Sequence, residues 1–84
     1  MNPSEQARKD AIEAERLAAV ELERLAAQVH SRVQDVYDTV DHIVALMIRD
    51  GDMVAGLRRV PDLIFGVACL QELVRKYIAA GGKG

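Results

Sequence analysis

The sequence predicts an all-α fold in which a long N-terminal helix, a short connecting helix and a C-terminal helix form an antiparallel helical hairpin, and the hairpin assembles into a homo-oligomeric bundle. Three observations predict it. No glycine or proline falls between Pro3 and Gly51. Apolar residues recur at every third or fourth position from Ala7 to Met47. The segment able to fold back, 61–80, is less than half as long as the helix it would cover. The whole chain, 1–84, reads as a single helical domain, because 84 residues suffice for one core and no more.

The first helix is expected over 4–49. Ser4 offers a cap, and the apolar stripe then runs Ala7, Ala11, Ala14, Ala18, Leu22, Leu25, Val29, Val33, Val36, Val40, Ile43 and Met47. Positions eleven apart repeat in character: Ala7, Ala18, Val29 and Val40 form one series, and Ala11, Leu22, Val33 and Val44 another. That period corresponds to ~3.67 residues per turn, which keeps a helix straight or slightly right-handed. Gly51 can take the left-handed conformation that ends a helix, and Asp52 can cap the next one. A short helix over 53–59 follows, weakened by Gly56. Pro61 and Asp62 suit the first turn of a closing helix over 61–80, whose apolar face is Leu63, Val67, Leu70, Val74 and Tyr77/Ile78. Gly81-Gly82 stops it.

A helix of that length spans ~60 Å, and the closing helix only ~30 Å. Folded back at Gly51, the closing helix would cover the first from about residue 48 to about residue 29. The N-terminal part of the stripe would then face water, and a lone solvated helix gains little from propensity alone. A second copy of the chain is the simplest cover. The expected oligomer interface is Ala11, Ala14, Ala18, Leu22, Leu25 and Val29. Ile43–Ile48 is apolar on every side and is placed at the hub of the assembly. A break at Gln28–Ser31 would give a monomeric three-helix bundle instead, and the sequence leaves that continuity open.

Half the residues are hydrophobic but only 4% are aromatic, so the core is aliphatic and suits close helix packing better than a ring-lined ligand cage. The net charge of −2 disfavours a nucleic-acid partner. Its distribution is uneven. Residues 4–27 carry four basic and six acidic side chains, a net of −2, and residues 28–47 carry one basic and three acidic, another −2, whereas residues 48–83 carry six basic and four acidic, a net of +2. The single Cys69 excludes an internal disulfide and points to a reducing compartment. The N-terminus lacks the basic start and apolar stretch of a secretory signal, and no apolar run approaches ~20 residues. A cytoplasmic protein, not engaged with membrane, is the expectation.

Few side chains suggest chemistry. His30, Gln34, Asp38 and His42 follow at steps of four, but such a row drifts around the helix and reads as a solvated polar face. Cys69 stands among apolar neighbours and reads as a buried, unreactive thiol. Arg58 and Arg59, beside the start of the last helix, are the candidate anion-binding residues, although no glycine-rich cradle precedes them. The plainer reading has them pairing with Asp50, Asp52 or Asp62. Arg75 and Lys76 are expected beside Asp35 and Asp38. The main stripe contains no ionisable residue. A catalytic, cofactor or metal site needs such groups in a pocket, so none is expected. The functional expectation is a non-enzymatic helical oligomerisation and protein-interaction module, as adaptor, assembly or regulatory protein, whose partners are itself and another protein. The alternatives are an oligomeric small-anion binder using Arg58 and Arg59, and a nucleic-acid-binding regulator using the basic turn.

Overall fold

The structure is a computed structural model and describes residues 2–83. All of its regular elements are helical. Helix α1 spans Pro3–Val44 and runs without interruption through Gln28–Ser31, which removes the three-helix alternative. A π-helical turn at Ala45–Arg49 completes it, followed by α2 (Met53–Arg58) and α3 (Val60–Ala79). The expected 53–59 helix differs from α2 by one residue at its end, and the expected 61–80 helix from α3 by one residue at each end. Only Arg59 separates α2 from α3, so together they form one bent C-terminal arm that returns along α1.

The caps differ from expectation at one end. Asn2, not Ser4, caps α1: its Oδ1 accepts from the Glu5 backbone N–H at 2.9 Å, and Pro3 occupies the first turn. Proline needs no amide partner there, and an Asn preceding it is free to stay extended. Asp52 caps α2 as expected, accepting from the Ala55 N–H at 3.0 Å. At the other end of α1, Gly51 takes φ +66° and the Asp50 N–H reaches the carbonyl of Ala45 at 3.0 Å. That five-residue spacing is the π turn, so α geometry ends at Val44 rather than at 49. Helix α3 closes on Gly81 at φ +106°, with Gly81 N–H bonded to Ile78 O and Gly82 N–H to Tyr77 O, the paired bonds of a Schellman stop.

The two glycines inside the helical arm have opposite roles. Gly56 is buried beneath Met47, and a methyl group built on it would overlap the Met47 side chain. Gly66 lies opposite Val36, with room for a methyl at 3.5 Å from Val36 Cγ2. Gly56→Ala is therefore expected to destabilise by about 1–3 kcal/mol through overpacking. Gly66→Ala is expected to stabilise by about 0.5–1 kcal/mol, because alanine is the better helix former. Urea melts of the two variants at equal concentration check the difference in sign.

Gly66 opposite Val36 also fixes the register. Equal rise per residue then brings Leu63 level with Thr39 and Tyr77 level with Leu25. The α3 side chains that turn inward are Val60, Leu63, Leu70, Leu73, Val74 and Tyr77. Leu25 is 5% exposed and Ile43 9%, the only apolar side chains covered to that degree among the described residues. The molecule extends 72 × 17 × 16 Å with a radius of gyration of 20.5 Å. A compact chain of this length would have ~12 Å. The fold is a rod, two helices thick at one end and one helix thick at the other.

Candidate interaction surface

The one-helix end comprises the first five turns of α1, where every residue from Asn2 to Glu21 is exposed. It is held by its own chemistry. Arg16 pairs with Glu13 at 3.4 Å, and Arg24 makes a two-pronged contact with Glu21. That hydrogen bond holds the Glu21 carboxyl below the ordinary carboxylate range, and Arg24 is correspondingly raised. Both side chains are about half open to solvent, so the pair supports the helix locally and does not tie it to anything else. Of the expected interface, Ala11, Ala14 and Ala18 stand open in this arm. Leu25 is buried within the single chain, and Leu22 and Val29 are half-covered. The closing helix thus reaches about one turn further toward the N-terminus than the limit near residue 29, because the Gly66–Val36 register carries Tyr77 down to Leu25.

The two edges of the hairpin have contrasting character. Gln28, Ser31, Arg32 and Asp35 of α1 line one edge with Cys69 and Leu73 of α3, around an open groove of about 500 Å³. With 3.6 residues per turn, the opposite edge carries Val33, Tyr37, Val40 and Val44 from α1. Ile64, Val67 and Ile78 of α3 stand beside them. Tyr37, Val44, Ile64, Val67 and Ile78 are all exposed on it. Ile48 continues this edge beyond the end of α3 and is 78% exposed. Ile43–Ile48, expected to be covered on every side, is in the single chain covered at Ile43 and open at Val44 and Ile48. Phe65, 70% exposed, lies one turn before Cys69 on the grooved side of α3.

The residues singled out for chemistry are dispersed. Arg59 lies 3.6 Å from Asp62, one of the three carboxylates expected to receive it, and both side chains are more than half exposed. Arg58 is exposed at the end of a six-residue helix. Within the single chain only Arg59 of the two has a carboxylate partner among the described ion pairs. His30 and His42 are exposed, and within their row Gln34 Nε2 donates to Asp38 Oδ1 at 3.2 Å. No set of three metal-binding side chains comes together among the described residues. Cys69 is half-buried rather than buried, because it sits on the rim of the α3 contact face. Arg75 and Lys76 do not meet Asp35 and Asp38: the register places them level with Ala27 and Ala26, and Asp35 lies 3.9 Å from Arg32 instead. All four ion pairs found among the described residues link positions three apart on one helix, so none joins α1 to α3. The apolar edge was the feature the sequence reading missed. Its signal was present in Tyr37, Val44 and Ile48, which repeat at helical spacing beside the main stripe.

No helix among the described residues is long and apolar enough to cross a membrane. No protein-family model, curated protein or solved structure matches the chain.

Proposed function

We propose that the chain is a non-enzymatic helical interaction module that works as a homo-oligomer. The observation that carries this reading is the imbalance between apolar content and burial. Half the residues are hydrophobic, yet only Leu25 and Ile43 fall below a tenth exposed among the apolar side chains described. Burying an aliphatic side chain of this size yields about 1.5–3 kcal/mol, so the open apolar edge and arm favour association over solvation. Patches of this continuity on a small protein mark interaction sites. The candidate anion site at Arg58 and Arg59 gains no support of this kind, since Arg59 is engaged by Asp62. Light scattering across a dilution series tests the reading. A mass of at least twice 9.2 kDa, falling toward 9.2 kDa only on dilution, is expected. A single-chain mass at every concentration, with helix content unchanged, overturns it.

A further inference from the structure

We infer that two copies pair antiparallel and side by side, so that the bare arm of each chain lies along the partner's α3 and apolar edge. The inference rests on the homo-oligomer proposed above and adds its geometry.

The first support is a match of lengths. The uncovered part of α1, residues 3–21, is ~28 Å long, and α3, with 20 residues, is ~30 Å. Placed antiparallel about an axis near Ala26, each arm ends where the partner's hairpin ends. Two α1 helices and one stretch of a returning arm then fill most cross-sections of the rod, and the ends of the two α3 helices lie side by side at residues 23–29. A parallel pair would set four helices at one end and two bare arms at the other.

The second support is the direction of the faces. The stripe Ala7, Ala11, Ala14 and Ala18 continues the line of Leu22, Leu25 and Val29, which α3 of the same chain covers. In the antiparallel pair the partner's α3 lies level with residues 10–29, so it overlaps the end of the first α3 and continues past it along the arm. The apolar face of α3 is wide enough for both tasks. Leu63, Leu70 and Tyr77 turn to the chain's own α1, and Ile64, Val67 and Ile78 remain exposed for the partner's arm. Along the α1–α1 seam, Ile12 and Ala19 of the arm fall level with Val40 and Val33 of the partner. The small Ala26 sits at the centre, where the two backbones can approach closely.

Charge and area agree. A parallel pair would set two arms of net −2 side by side, whereas antiparallel pairing sets each arm against a hairpin in which the net −2 of residues 28–47 and the net +2 of residues 48–83 cancel. A seam ~60 Å long and one helix diameter wide covers ~600–700 Å² per copy, or ~1,200–1,400 Å² in all, within the range of specific interfaces.

Nitroxide pairs distinguish the arrangements. In a Cys69→Ala background, Lys9→Cys and Ala27→Cys each place one label per chain on an exposed α1 position. Pulsed dipolar spectroscopy is expected to give ~50 Å between the Lys9→Cys labels and ~20 Å between the Ala27→Cys labels. Short distances at both positions would establish a parallel pair. A short distance at 9 with ~45 Å at 27 would establish pairing through the arms alone. Either result overturns the inference while leaving the oligomer intact. Absence of any dipolar coupling between singly labelled chains, together with a single-chain mass, would instead overturn the oligomer itself.

Discussion

The proposed dimer, carrying Val44→Glu together with Ile64→Glu, is expected to fall apart into single chains that remain helical. Both positions are exposed in the isolated chain, so their effect on the single-chain fold is expected to stay within ~0.5 kcal/mol each. Across a two-fold interface each substitution acts twice. Losing ~1.5 kcal/mol of burial at four sites weakens association by about 6 kcal/mol, on the order of 10⁴-fold in Kd. Burying the new carboxylates would add to that. Sedimentation at a concentration where the unaltered chain is dimeric reads the change directly. Ser31→Glu, on the grooved polar edge, is the matched control and is expected to leave the mass unchanged. If the double variant sediments as the unaltered chain does, the apolar edge is not the interface.

The second large effect is expected inside the chain. Leu25→Ala removes the most buried apolar side chain described, at the point where α3 ends against α1. A buried Leu→Ala change typically costs about 2–5 kcal/mol from lost transfer energy and the cavity left behind. The thin core around Leu25 can collapse partly, so about 2–3 kcal/mol is expected here. For a domain of this size that is a large share of total stability. Chemical melts should be compared at fixed protein concentration, because association adds to apparent stability by mass action. Leu17→Ala, about two turns away on the exposed arm and off the proposed seam, is expected to cost less than ~0.5 kcal/mol. Equal costs for the two would mean that Leu25 gains nothing from α3.

The elements were legible because their signals are local. An unbroken run without glycine or proline, a stripe at steps of three and four, and glycines at 51 and 81–82 are enough to place three helices to within about a turn. Cap choice was less certain, since Asn2-Pro3 and Ser4 both satisfy the rule and only the chain path selects between them. Gly56 shows a sharper limit. As sequence it reads as a weak point in a short helix, but in space it is the one residue that lets Met47 sit against α2.

What the sequence determined by itself is the helical class, the extent of the stripe and the excess of α1 over the segment that covers it, because each follows from composition and period along one chain. The tertiary structure alone decided the register of α3 on α1. That register buries Leu25, parts Arg75 and Lys76 from Asp35 and Asp38, and leaves Tyr37, Val44, Ile64 and Val67 together on one open edge. The physical reason is that register depends on how side chains interlock across two helices, at Gly66 against Val36 and Met47 over Gly56, and a one-dimensional pattern of apolar positions fits several such registers equally well.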